Sequence, residues 1–270
     1  MVWLIHLVAH LSDFTILLTG AVSTAALALL LAWGGHYVLQ GMGGNIEPRN
    51  ALADVVHGSL LAFIVFVLAQ IFASVHDNEG AAADGVLREA ATVSRLSREL
   101  QTVDPGDQSG ARAKLSAYVA TVVKEDWPLL GSDSPRLAPA ADQALDELVN
   151  RLQHLIASAP AHAVSLQTTA HDLDALRQNR LENATRTVPA VFWWVIAVFL
   201  IGAMLMNGRF KPTLGTNLVN AFHMGAIGMV IALIFILDEP YRGETAVSPA
   251  PLAKAGGIAK AGIPSPQPSH

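Results

Sequence analysis

The sequence predicts an all-α integral membrane protein: four transmembrane helices and a cytoplasmic helical domain formed largely by extensions of the second and third spans. Three observations predict it. Four apolar runs are each long enough at helical rise to cross a bilayer's hydrocarbon core. The polar middle of the chain carries helical periodicity and no stretch of strand period. From Val55 an apolar run without formal charge passes into Val86, Ala90, Val93, Leu96 and Leu100, the spacing of one buried helical face, with no proline between Pro48 and Pro105. One long helix therefore leaves the membrane and continues into water, with Gly80 and Gly85 as candidate bend points.

Composition agrees with a membrane location. The 270 residues are 52% hydrophobic and only 14% charged, with a mean hydropathy of +0.40, too apolar for an ordinary soluble domain. A formal net charge of −5 and the lack of basic stretches interleaved with aromatics argue against nucleic acid as a partner. With no cysteine, disulfides, thiolate nucleophiles and Cys-based metal sites are excluded.

Residues 1–54 hold an N-terminal segment, the first span and a loop. Trp3, Leu4, Leu7, Val8 and Leu11 mark an apolar face beside His6 and His10, and no Lys or Arg precedes Arg49. That disfavours a cleaved signal peptide and suits an interfacial segment. The first span, Phe14 to Leu39, ends with Trp33 and Tyr37, aromatics that favour headgroup level. Gly41 to Asn50 reads as a turn, and the second span occupies 55–76.

Residues 77–187 form the helical domain. Asp104, Pro105, Gly106, Asp107 and Gly110 make a polar turn after the long helix. Leu115, Tyr118, Val119 and Val122 give a short amphipathic helix that stops at Trp127 and Pro128, and Gly131 to Pro139 is a loop. Leu145, Leu148, Val149, Leu152, Leu155 and Ile156 mark the next helix, broken at Pro160. A further one runs through Leu166, Leu173 and Leu176 to Thr187.

Residues 188–237 supply spans three and four. Pro189 loses no needed donor if the third span starts a new helix, but kinks a continuous one. The fourth span, about Thr216 to Leu237, is apolar except for Asn217, Asn220 and His223. In 238–256, Ser248 before Pro249 is an N-cap for a last short helix. The tail, 257–270, is too rich in Ala, Gly, Pro and Ser to build a core and is expected to be disordered. Lys and Arg are more numerous on the domain side than in the two short loops, which places the domain and both termini in the cytoplasm.

At 100° per residue, Ser59, Phe63, Phe66, Gln70 and Ser74 share one narrow face of the second span, and Asp77, Asp84 and Arg88 continue it. Around a symmetry axis this face makes a wettable pore constricted at Phe63 and Phe66, a means of gating ions by dewetting. The alternative is that the aromatics pack on other spans and Gln70 bonds to one of them. Asn217, Asn220 and His223 either pack helices or line an ion path. Asp238, Pro240, Arg242 and Gly243 suit a tight membrane-exit turn in which Asp238 pairs with Arg242. His6 and His10 have ligand spacing but no convincing nearby carboxylate pair, and their segment lies in the interface, so no metal is assigned. No phosphate-binding glycine loop, HExxH, nucleophile elbow or dinucleotide fingerprint is present, so no catalytic residue or cofactor is assigned and the chain is not read as an enzyme.

The segment Ile236 to Leu252, ILDEPYRGETAVSPAPL, closely resembles the motif that ends the last span in the bacterial bestrophin-like membrane family, a domain of unknown function. Glu89-Ala90, Tyr118 with Asp126-Trp127-Pro128, and Arg177 and Arg180 ahead of Val188-Pro189 support it. Glu239 stands where that family usually has a basic residue. The resemblance spans roughly residues 55–252. It implies a four-span bacterial inner-membrane protein with a cytoplasmic helical domain, oligomeric around a central pore. The leading reading is therefore a homo-oligomeric ion channel or channel-like protein among membrane lipids. The alternative is a non-conducting accessory, scaffold or sensor subunit that docks a protein partner on the cytoplasmic domain.

Overall fold

The computed structural model describes residues 12–41, 51–103, 105–158 and 160–258. The expected interfacial segment with His6 and His10, most of the first interhelical loop and the tail beyond Ile258 lie outside the described residues. Among those described, every regular element is helical. Two compact units emerge: a membrane unit drawn from residues before Asp77 and from Val188–Asp238, and a helical-domain unit drawn from Asp77–Thr187 and the residues after Asp238.

The membrane unit contains α1 (Asp13–Gly41), the first half of α2 (Ala51–Gln101), α6 (Ala190–Met206) and α7 (Leu214–Leu237). All four segments belong to helices long and apolar enough to cross a membrane. Within it, Ile64, Leu68, Ile71 and Val75 of α2 pack with Ile196, Met204, Met224, Ile227 and Ile234. Lipid tails offer no hydrophobic gain for helix association, so close backbone approach does more of the holding. Gly228 of α7 meets α1 so tightly that an added Cβ would lie 2.4 Å from the Gly20 carbonyl oxygen. At the start of α7, Thr213 and Thr216 close a reciprocal capping box, which lets the helix begin at Leu214, slightly ahead of the expected Thr216.

Both extensions were expected to be helical. That of the second span is: α2 is a single helix of 51 residues, and neither Gly80 nor Gly85 ends it. The third span differs. Residues 186–189 are non-helical, with ψ of 104° at Arg186 and 137° at Pro189, so α5 (Ala163–Thr185) and α6 are separate helices. Proline disfavours helical backbone in the residue before it and offers no donor itself. The Val188 N–H stays satisfied by donating to Asp238 Oδ1 at 2.9 Å.

The helical-domain unit adds α3 (Pro105–Thr121), α4 (Pro139–Ser158) and the short α8 (Ala250–Ala255) to the second half of α2 and to α5. The polar turn is shorter than expected, because Pro105 opens α3. Helical structure also persists past the expected stop: a π-turn, Val122–Asp126, follows α3, and one more turn runs to Leu130 with Pro128 in its first turn. Val86, Val93, Leu96, Leu100, Leu115, Tyr118, Val122, Leu148, Leu152, Leu166 and Leu173 build one core. Ser248 Oγ accepts the Ala250 N–H at 3.2 Å ahead of α8, whose N-cap is Pro249 and not the expected Ser248.

Candidate functional site

On α2, Ser59, Phe63, Phe66, Gln70 and Ser74 are all exposed in the single chain, whereas Ile64, Leu68, Ile71 and Val75 on the opposite face are buried. Ser59 Oγ donates to the Val55 carbonyl at 2.8 Å, a local bond that a serine inside an apolar helix makes readily. The two aromatics differ. Phe63 is 43% exposed with its ring centroid 4.6 Å from that of Phe199 on α6, while Phe66 is 60% exposed. Phe63 is thus partly the packing residue of the alternative reading, and Phe66 is the projecting one. Further along the helix Asp77, Asp84 and Arg88 are exposed.

The amide stripe of the fourth span serves packing at two positions. Asn207 Nδ2 donates to Asn220 Oδ1 at 2.7 Å, and Trp33 Nε1 approaches Asn217 Oδ1 at 3.5 Å. In the exit motif Asp238 Oδ1 accepts from the Val188 N–H, and Arg242 Nη1 reaches Asp133 Oδ1 at 3.0 Å and Glu239 Oε2 at 3.2 Å. The chain turns there: Gly243 adopts φ of 84°, and the Val247 N–H returns to the Pro240 carbonyl at 2.8 Å. Glu239 is one of the partners of Arg242.

A second constellation lies inside the helical domain. Glu89 on α2, Asp126 at the end of the π-turn, and Arg177 and Arg180 on α5 are all at most 1% exposed. Arg177 grips Asp126 with a fork, Nε to Oδ2 at 2.9 Å and Nη2 to Oδ1 at 3.2 Å, and its Nη1 bonds Asp142. Arg180 Nη2 donates to Asp126 Oδ2 at 3.1 Å. Its Nη1 lies 3.1 Å from Glu89 Oε2, an ion pair whose angle falls short of a hydrogen bond. Tyr118 Oη donates to Glu89 Oε1 at 3.4 Å. Two buried cations thus face two buried carboxylates, the minimum for charge balance in a low-dielectric interior.

Burial raises the Glu89 carboxyl above the usual carboxylate range, against the pull of Arg180. It pushes the Tyr118 phenol well above its ordinary value, with the nearby Glu89 acting in the same direction. Burial works against the Arg177 charge, but the hydrogen bonds it donates to Asp126 and Asp142 hold that guanidinium above its ordinary value. The C-terminal motif closes over this cluster. Trp127 Nε1 donates to the Val247 carbonyl at 2.9 Å, its ring meets Tyr241 edge-on at 5.8 Å, and the Arg180 guanidinium stands 5.1 Å from its centroid.

Glu89, Asp126, Arg177 and Arg180 have no role in the sequence reading beyond the resemblance, and Tyr118 and Trp127 only mark a short helix and its end. A physical signal was available. Glu89 falls in step with Ala82, Val86, Val93 and Leu96; Asp126 with Leu115, Tyr118 and Val122; Arg177 and Arg180 with Leu166, Thr169 and Leu173. Charges of both signs on otherwise apolar faces of three helices announce a buried network.

The profile of the bestrophin-like domain matches residues 22–252. The fold is similar to a crystal structure of a mutant bacterial bestrophin homologue from Klebsiella pneumoniae, at a TM-score of 0.61 and 13% identity over 89% of this chain and 99% of that one. A second mutant of that homologue gives 0.57 at 14% identity, over 87% and 97% of the two chains. A crystal structure described as a mutant membrane protein gives 0.61 at 14%, over 88% and 98%. No curated protein matches the chain.

Proposed function

The chain belongs to the bestrophin-like domain family, and on that footing we propose that it assembles as a homo-oligomer around an axial pore walled by α2 and conducts ions across a bacterial inner membrane. The domain and the chain termini face the cytoplasm, as the distribution of Lys and Arg favours. One observation carries the reading: an exposed strip of Ser59, Phe63, Phe66, Gln70 and Ser74 on a helix whose opposite face is buried. Polar ends admit water and ions. An aromatic middle dewets when narrow and passes ions when copies of α2 move apart. Phe66 is the principal constriction, since Phe63 is held against Phe199. Asp77, Asp84 and Arg88 line the continuation of the strip, and the buried charge network holds α2 to α5 and to the π-turn of the domain.

Single-channel recording of the purified protein in planar bilayers tests this directly. Wild type passes current above protein-free bilayers, and Phe66→Ala conducts more or opens more often. No current in either, across several salts and pH values, overturns the proposal and favours a non-conducting scaffold. That second reading draws support from a groove of about 310 Å³ between α4 and α5, with Leu145, Val149 and Leu152 on its floor and Asp142, Asp146 and Asp174 on its wall.

A further inference from the structure

At the end of the membrane unit where α6 gives way to α7, a cavity of about 380 Å³ opens beside α1 and α2. Its wall is largely apolar, yet Trp33, His57, Lys211, Asn217, Asn220 and His223 converge on it. Among the described residues no carboxylate lines it, and Asp54, one turn before His57, is already engaged by Arg209 Nη2 at 2.7 Å. The surplus charge is positive. Behind the lining, Arg209 lies 4.9 Å from the ring of the wall residue Phe210, and its Nε and Nη1 are buried without partners among the described residues. His57 Nδ1 is likewise buried and unpartnered among those residues. Unpartnered buried nitrogens beside a cationic wall are what an anionic acceptor would satisfy.

The cavity does not end there. A groove of about 830 Å³ adjoins it between α2 and α7, and Val219 and His223 line both. Apart from His223 the groove is apolar, formed by such residues as Leu68, Phe72, Leu218, Phe222 and Val230. His223 stands about 13 Å along α7 from Leu214 at helical rise. Polar donors thus reach the depth of acyl chains, and an apolar channel continues from them.

We propose that cavity and groove together form a binding site for an anionic phospholipid. Its phosphate sits among Lys211, Asn217 and the two imidazoles, and one acyl chain lies along α2 and α7. A free anion would use the cavity and leave the groove bare. A second copy of the chain would cover the groove and leave the buried donors unsatisfied.

The test is native mass spectrometry of the full chain in detergent, titrated with dioleoylphosphatidylglycerol, dioleoylphosphatidylcholine or inorganic phosphate. The expected result is a retained phosphatidylglycerol adduct. Lys211→Glu weakens it at least about fivefold, the effect of one basic contact at a membrane surface, Lys211→Arg restores it, and phosphatidylcholine barely responds. Ala226→Trp, which fills the groove, weakens both lipids. Lys211 is exposed, so its variants keep the test open even if the tryptophan variant does not fold. Unchanged phosphatidylglycerol retention in Lys211→Glu overturns the proposal. So does inorganic phosphate that competes with the lipid and still binds Ala226→Trp, which marks a free-anion site, or loss of oligomer mass in Ala226→Trp, which marks a contact between copies. None of these readouts depends on ion conduction.

Discussion

Replacing Asp126 with alanine takes away the carboxylate that two buried guanidinium groups share, leaving Arg180 with Glu89 and Arg177 with the exposed Asp142. Asp126 accepts from Arg177 Nε, Arg177 Nη2 and Arg180 Nη2, and also from the Ala138 N–H at 2.8 Å. Breaking a buried ion pair from one side costs about 3–5 kcal/mol, because the remaining charge is left uncompensated. An orphaned backbone donor adds about 1 kcal/mol. Asp142 cannot take over, since its side chain is 57% exposed and reaches only Arg177. A loss of about 5 kcal/mol is a large share of the roughly 5–15 kcal/mol that holds a typical fold. Hydrogen exchange read by mass spectrometry localises the effect. Protection in peptides from α5 and from the Val86–Leu100 half of α2 falls by roughly three and a half powers of ten. Lys114→Ala, which opens the exposed 2.7 Å pair with Glu147, leaves protection near wild type. Combining Asp126→Ala with Arg177→Met removes one charge of each sign and costs less than the two changes added together. Wild-type protection in Asp126→Ala, or strict additivity in the double variant, refutes the network.

Three further outcomes follow from the same geometry. Burial raises the Glu89 carboxyl in the folded state, so its contribution to stability is complete below the unfolded carboxyl value and is lost as pH rises through the raised one. Glu89→Gln removes that dependence, so wild type loses stability relative to the variant between acid and neutral pH in thermal melts; parallel curves contradict it. Gly228→Val drives a methyl-bearing carbon into the Gly20 carbonyl, where even a Cβ would stand at 2.4 Å. About 1–3 kcal/mol of overpacking then appears as a lower melting temperature of the detergent-solubilised protein. Trp127→Phe loses the 2.9 Å bond to the Val247 carbonyl and weakens the contact with Arg180, about 1–2 kcal/mol in all. Limited proteolysis should then cut faster within residues 239–249.

The spans were legible because hydrocarbon imposes a length and a charge-free composition that little else in a chain shares. The unbroken α2 was legible from its lack of proline and its even apolar spacing, and the two glycines proved too weak a signal to end it. The division between α5 and α6 hung on Val188-Pro189, where local sequence allows either a kink or a new start and the bond from Val188 to Asp238 selects the latter. The charge network was hidden by a habit of reading charges as solvent-facing. Glu89, Asp126, Arg177 and Arg180 carry no short motif, and their pairing spans 51 positions between Asp126 and Arg177 alone. Arg242 is a related case: one of its partners, Asp133, lies 109 residues away, where local turn chemistry gives no sign of it.

The absence of native cysteine makes the central claim directly measurable, because any introduced thiol is the only one per chain. Single-channel current through Ser74→Cys and through Val65→Cys is recorded before and after a charged, membrane-impermeant methanethiosulfonate. Val65 is also exposed, at 56%, but on another face of α2. A pore walled by the Ser-Phe-Gln strip predicts an abrupt change of conductance at Ser74→Cys and none at Val65→Cys; the reverse pattern, or equal indifference of a conducting channel at both, contradicts it.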